Sequence, residues 1–360
     1  MLNALLLFLP TLYFGSIYWL LLPALLNIKK LKWDDFQTPI FKIILIICVV
    51  SLINFILTWA LGKINYEDSG SFFSMLPYSI TLLPAYIIAK TLDRKTLIFL
   101  LIFICFEIVV GIFEYVFGVT SFFITANEFA SGYGGDEMLY NKRVLGISTN
   151  SSTLAIKCLI GLIIVYLTKP KYSILWVLLI IVGFYVSFNR ATIIAAAPLL
   201  IYFYWYYISQ LKFKIFWLGL TVIVCVSLFS VVINQFMRSA DISDISRITA
   251  NRDLIYESFY AFSKENIWNG NGSVKLWLEL FPDHKFHAHN SYLMTLASNG
   301  IIVFLFYLYF IFAFIRKSNF LPVSVLLIYS LFQFGILWGC SLTDIIFIFL
   351  LLDKKTSFIK

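Results

Sequence analysis

Charge is scarce in this chain. Asp, Glu, Lys and Arg make up only 13% of its 360 residues and hydrophobic residues 61%, whereas a soluble domain carries about a quarter charged residues. With a mean hydropathy of +0.90, that scarcity excludes a water-soluble domain and leaves a polytopic membrane protein. Cysteine is sparse and scattered: Cys48, Cys105, Cys158, Cys225 and Cys340 have no near neighbours in sequence. That spacing excludes a disulfide framework and a CxxC metal pattern, and leaves packing roles. Histidine is scarcer still, and all three stand within "PDHKFHAHNSY" at residues 282–292.

Apolar runs near the roughly 20 residues that a spanning helix needs cover residues 2–27, 39–61, 72–92, 96–118, 148–168, 172–189, 191–208, 213–236, 290–315 and 319–338, and a shorter one covers 341–352. Lys29, Lys30 and Lys32 follow the first run, which reads as a retained helix and not a cleaved signal. Lys90/Arg94/Lys95, Lys169/Lys171, Lys212/Lys214, Arg316/Lys317 and Lys354/Lys355/Lys360 fall with them on alternate short loops, which the positive-inside rule places in the cytoplasm. The expectation is an all-α polytopic transmembrane bundle of about eleven spans, a single membrane domain over 1–360 with its N-terminus outside. The long connections 119–147 and 237–288 then face outward and form a partly helical cap over a site.

Arginine stands out on that outer side: Arg143, Arg190, Arg238, Arg247 and Arg252. The topology rule does not call for it, and its planar fork suits phosphate or carboxylate. Arg238 and Arg247, beside Asp241 and Asp244, also read as solvated surface pairs. Arg190 lies in "VSFNRATII", between two apolar runs, where a charge marks a functional position or snorkels to the interface. In "TANRDLIYESFYAFSKEN", Ile255, Phe259 and Phe262 recur at helical spacing, and Arg252, Tyr256 and Tyr260 form a neighbouring stripe. This predicts an amphipathic helix over the membrane, with Asn251 as N-cap and Arg252 in the anion-attracting first turn. Glycines in "IWNGNGS" then break it. Within the bilayer, Glu107 and Glu114 share a helix face and Lys157 is at a depth to meet Glu107, as a structural or functional pair. Asp344 has no obvious partner.

Four stretches, in this order, carry a family resemblance: "RVLGISTNSSTLA" (143–155), "SFNRAT" (187–192), "NRDLIYESFYAFSKENIWNGNG" (251–272) and "HAHNSYLMTLASNG" (287–300). They resemble the Gly-x-x-x-Asn-Pro-Asn, Ser-x-Ser-Arg-Gly, Arg…Pro-x-x-Gly-x-Gly and His-Asn-x-x-Leu…Gly patterns of the bacterial O-antigen ligase and Wzy-type polysaccharide polymerase family of integral membrane glycosyltransferases. The departures are Asn150-Ser151-Ser152 for Asn-Pro-Asn, Asn189 for the second Ser, Ile267 for Pro, and one helix fewer at the N-terminus. The arginines and the His-Asn pair are in place.

The resemblance implies transfer of an oligosaccharide from an undecaprenyl-diphosphate carrier to a sugar hydroxyl. The setting is the outer face of the bacterial cytoplasmic membrane, with no cofactor and no required metal. It makes Arg190 and Arg252 the diphosphate-binding catalytic residues and His289 the base. At the start of a spanning helix the dipole keeps that imidazole neutral. Asn290, Tyr292, Tyr256, Trp268, Arg143 and His287 are the expected substrate-binding residues, and for the aromatics an interfacial belt is an equal reading. Expected partners are the lipid-linked donor and acceptor, membrane lipid and a chain-length regulator, with no nucleic acid. Polymerisation of O-antigen or capsule repeat units is the first reading. Ligation to another acceptor, a flippase without chemistry, and a zinc enzyme using His284, His287 and His289 are the alternatives.

Overall fold

The computed structural model describes residues 1–64, 76–124, 144–210, 252–281, 284–337 and 339–352. Its helices, in chain order, are α1 (Leu2–Phe8), α2 (Leu21–Ile28), α3 (Pro39–Ala60), α4 (Leu82–Thr91), α5 (Arg94–Phe117), α6 (Ser151–Thr168), α7 (Ser173–Ser187), α8 (Arg190–Ile208), α9 (Arg252–Glu265), α10 (Ser291–Ala313), α11 (Phe320–Phe332) and α12 (Leu342–Leu351). Helices α3, α5, α6, α8 and α10 are long and apolar enough to cross a membrane, while α7, α11 and α12 are shorter apolar helices. The chain is therefore a helical membrane bundle. The run 213–236, also expected to span, lies outside the described residues.

Side chains that satisfy free backbone N–H groups fix where the helices begin. Thr38 caps α3, with Pro39 in its first turn, and Asp93 caps α5 through Thr96 N. Asn150, Asn189 and Asn290 do the same for α6, α8 and α10. Three of the four motif stretches thus supply the asparagine that starts a long apolar helix.

Helix α6 is the centre of the bundle, and nearly all of its residues are buried. It packs between α5, α7 and α8. The expected intramembrane pair forms here: Lys157 Nζ donates to Glu107 Oε1 at 2.7 Å, and both side chains are buried. Ser148 Oγ also donates to Glu107 Oε1 at 2.7 Å, and Gly146 N donates to Glu114 Oε2 at 2.7 Å. The two carboxylates of α5 therefore hold the segment 144–150 against the bundle, directly before α6. Asp344, partnerless in sequence, is buried at the start of α12 and accepts from Leu337 N at 2.6 Å and Ser341 Oγ at 2.7 Å.

Four elements differ from expectation. The described part of the run 72–92 is a 3-10 turn, Tyr78–Thr81, followed by the ten-residue α4 and not a long helix. The run 2–27 forms two short helices and not one span, because Pro10 and Gly15 interrupt it with 3-10 turns. The backbone groups released there are reused: Tyr13 N donates to Ile147 O and Thr11 O accepts from Lys157 Nζ. The run 319–338 is helical only to Phe332, where Gln333 turns extended. Finally, the segment that runs into the histidine cluster contains strands β1 (Leu278–Phe281) and β2 (His284–Phe286), paired antiparallel with a register shift between Glu279 and Phe281.

Candidate active site

The loop 266–277 is anchored by glycine geometry. Gly300 interrupts α10 at φ +72°, ψ 175°, a conformation open in practice only to glycine. A Cβ there would collide with the Trp268 carbonyl, and one on Gly270 (φ +55°) would lie 2.5 Å from Gly300 N. The Gly-x-Gly of the third motif is thus docked on the terminal glycine of the fourth. Asn271 N donates to Ala297 O at 2.9 Å, Ser273 N to Ser298 O at 2.7 Å and Ile301 N to Ile267 O at 2.7 Å. Asn54 of α3 closes the joint by donating Nδ2–H to Asn269 O, Ser273 Oγ and Asn299 O.

On this base the amphipathic helix forms as its spacing predicts. Ile255 and Phe259 of α9 are buried with Leu276, Ala288, Met294 and Ala297, and Phe262 packs against them. Leu278 and Leu280 of β1 and Phe286 of β2 border the same cluster. Helix α9 therefore lies on α10, with its Arg252/Tyr256 stripe beside the end of α11. Asn251 lies outside the described residues, so its capping role is not seen.

Three residues at the C-terminus of α11 gather the site. Arg252 Nη1 donates to Phe332 O at 3.0 Å. Tyr256 Oη donates to His289 O at 3.2 Å and faces Leu331 O at 3.4 Å. Asn290 Nδ2 donates to Leu331 O at 3.0 Å, while its Oδ1 accepts from Tyr292 N and Leu293 N. Tyr292 Oη donates to Leu327 O at 3.3 Å. The last carbonyls of a helix lack internal partners, and here Arg252 and Tyr256 of α9 and Asn290, the N-cap of α10, take those of Phe332 and Leu331, while Tyr292 reaches Leu327 a turn earlier. This brings Arg252, Tyr256, Asn290 and Tyr292 together with the histidines.

His289 occupies the left-handed region at φ +44°, where a non-glycine residue is held only by its surroundings. Its N–H donates to His287 Nδ1 at 3.2 Å, its carbonyl accepts from Tyr256, and its Nδ1 meets Gln333 Oε1 at 3.1 Å. The two imidazole centroids are 4.1 Å apart, and Trp277 meets His287 edge-on at 5.4 Å. Burial, then the neighbouring imidazole and the charges of Lys275 and Arg252, push His287 down to about 3. Burial also lowers His289, with Arg252 adding to it and the Gln333 hydrogen bond opposing it. Both rings are neutral at pH 7, as a base there requires.

The other expected residues are placed differently. Arg190 is the first residue of α8 and is exposed. Its helix packs along α11, whose end holds the site. Two residues before it, Phe188 takes φ +48°, and Asn189 Oδ1 accepts from Thr192 N at 3.1 Å. Asn189 thus caps α8. Trp268 is exposed on the glycine loop and contributes its backbone to the joint with α10. Arg143, Arg238 and Arg247 lie outside the described residues. His284 opens β2, and among the described residues no three His, Cys, Asp or Glu side chains are gathered as a metal site.

Two residues of the site escape the sequence reading, Gln333 and Asn54. Each is a polar side chain inside an apolar run, which is itself a signal for a functional or joining role.

No curated protein and no solved structure matches the chain. The family model described as O-antigen ligase matches residues 174–308. The matched segment runs from α7 into α10 and contains Arg190, Arg252, Tyr256, Trp268, His287, His289, Asn290 and Tyr292, while Arg143 and Gln333 lie outside it. By that match, the family resemblance carried by the motifs is to the O-antigen ligases.

Proposed function

We propose that this protein is a membrane glycosyltransferase that moves an oligosaccharide from undecaprenyl diphosphate to a sugar hydroxyl, on the outer face of the bacterial inner membrane. The observation that carries the reading is the junction of Arg252 and His289 at one helix end: a fixed guanidinium beside a neutral, immobilised imidazole. The chemistry needs those two functions. As the bond from the anomeric carbon to the phosphate oxygen breaks, negative charge grows on the diphosphate, and a guanidinium held in place stabilises it. Arg252 and Arg190 each start a helix, so each adds the positive end of a helix dipole to its own charge.

The acceptor hydroxyl attacks the anomeric carbon from the opposite side and gives its proton to His289, so the linkage inverts. Asn290 and Tyr292 border the base, and Tyr256 and Trp268 offer flat faces for sugar rings. Arg143 and His287 complete the proposed binding set. The loops 119–147 and 237–288 form the cap, and no metal or cofactor takes part. The favoured acceptor is another carrier-linked repeat unit, which makes the enzyme a polymerase, aided by a chain-length regulator. Its product is a surface polysaccharide, O-antigen or capsule.

In cells, His289→Ala is expected to abolish long-chain glycan while protein level and carrier-linked repeat units persist. Near-normal polymer in that variant would overturn the reading. In a deletion strain, single repeat units on the final anchor indicate a polymerase, and long chains left on the carrier indicate a ligase.

A further inference from the structure

Gln333 stands 44 residues from His289 in sequence, outside all four motifs, and its amide oxygen is 3.1 Å from His289 Nδ1. It is held from both sides. Its N–H donates to Tyr329 O at 3.0 Å, and its carbonyl accepts from Ser291 Oγ at 3.3 Å. The same Ser291 Oγ accepts from Gly335 N and Ile336 N. The turn that ends α11 is thereby pinned to the first residue of α10, and Gln333 is buried, 9% exposed.

The main chain of His289 is fixed as well, by its left-handed φ and by hydrogen bonds at both N–H and C=O. What remains to be set is the tautomer of its ring. A carbonyl oxygen only accepts, so Gln333 Oε1 calls for a hydrogen on Nδ1 and leaves the lone pair on Nε2. His287 is set in the opposite sense, since its Nδ1 accepts the His289 N–H and its hydrogen is therefore on Nε2.

We propose that Gln333 is a positioning residue that holds His289 as the Nδ1–H tautomer, so that Nε2 is the nitrogen that takes the acceptor proton. This rests on the glycosyl-transfer reading above. An amide is suited to the position for an electrostatic reason. A carboxylate would stabilise the imidazolium and raise its basicity, and from position 333, next to the Phe332 carbonyl that Arg252 binds, it would compete with the phosphate for that arginine. Among the described residues, the charged and titratable groups facing the ring pair include Arg252 and Tyr256 from α9, Lys275 from the loop before β1, and the partner imidazole itself. The cations favour a neutral ring, and an uncharged partner leaves it so.

The chain has only three histidines, which makes the tautomer directly observable. Full-length protein labelled with 15N at histidine and held in detergent should show, at pH 7.5, one imidazole with a protonated Nδ1 and an unprotonated Nε2. That signal is assigned to His289 by its loss in His289→Gln and its survival in His284→Gln. In Gln333→Leu the Nδ1–H signature should disappear, and kcat should fall at least about tenfold with KM little changed. In Gln333→Glu the acid limb of the pH–rate profile should move up by about 1–3 units, as for a charge gained beside a titrating group. An Nε2–H tautomer in the wild type, or an acid limb unmoved in Gln333→Glu, overturns the inference. Both outcomes are distinct from failure of the transfer reading itself, which is marked by an active His289→Ala.

Discussion

Arg252 and Phe332 are 80 residues apart, and a 3.0 Å hydrogen bond from the guanidinium to the carbonyl joins them. The contact uses one of the five N–H donors of an arginine and fixes the plane of the fork. Lysine cannot keep both the carbonyl contact and a two-pronged grip on phosphate. Arg252→Lys is therefore expected to lower kcat by about 10²-fold or more, in the range seen when one transition-state donor is lost, and Arg252→Ala by at least as much. Both variants should reach wild-type abundance in membranes. Full activity in Arg252→Lys would mean that only the charge matters.

The pH dependence follows from the histidines. The ordinary value is 6.5, and burial and Arg252 place His289 below it. As pH falls through that lowered value the imidazole gains a proton, and activity that uses it as the proposed base is expected to be lost. Above it the profile is flat until another group intervenes. The acid limb of kcat/KM is thus expected with a midpoint below 6.5, while His287, pushed down to about 3, contributes nothing between pH 5 and 8. A midpoint above 6.5 would contradict the described surroundings of His289.

The Glu107–Lys157 pair joins α5 to α6 and, through Ser148, to the loop in front of α6. Removing one partner leaves a buried charge alone, which costs about 3–5 kcal/mol in comparable cases. Glu107→Leu and Lys157→Leu are each expected to melt well below the wild type in detergent. The double variant should recover much of the loss, because two apolar side chains leave no charge uncompensated. Additive losses in the double variant would show that the two do not act as a pair.

Gly300→Ala tests the joint between the loop 266–277 and α10. The φ of +72° and the approach of the Trp268 carbonyl both oppose a side chain, so a loss of at least about 1–3 kcal/mol is expected. Proteolysis of the loop 266–277 should accelerate. Unchanged protease resistance would argue against the docked arrangement.

Much of the bundle is legible in sequence, because long apolar runs bounded by polar caps define it. The runs 39–61, 96–118 and 290–315 become Pro39–Ala60, Arg94–Phe117 and Ser291–Ala313 within three residues at each end. The amphipathic stripe of Ile255 and Phe259, and the meeting of Glu107 with Lys157, also follow from spacing alone. Breaks inside apolar stretches do not, since hydropathy is blind to where the chain turns among uniformly apolar side chains. That is why the split at Pro10–Gly15 and the end of α11 at Phe332 appear only in the fold. The alternation of Leu278 and Leu280 with Trp277 and Glu279 is a strand signal, but one too short to stand out beside a histidine cluster. Gln333 reaches His289 through tertiary packing that no local pattern encodes.

The central claim is tested most directly with purified protein in lipid and an undecaprenyl-diphosphate-linked oligosaccharide as donor, by measuring release of free undecaprenyl diphosphate. Wild-type protein is expected to release the carrier together with a new glycosidic linkage, and His289→Ala is expected to leave the donor intact. A wild-type protein that leaves the donor uncleaved, or that only moves it across the bilayer, would contradict the account.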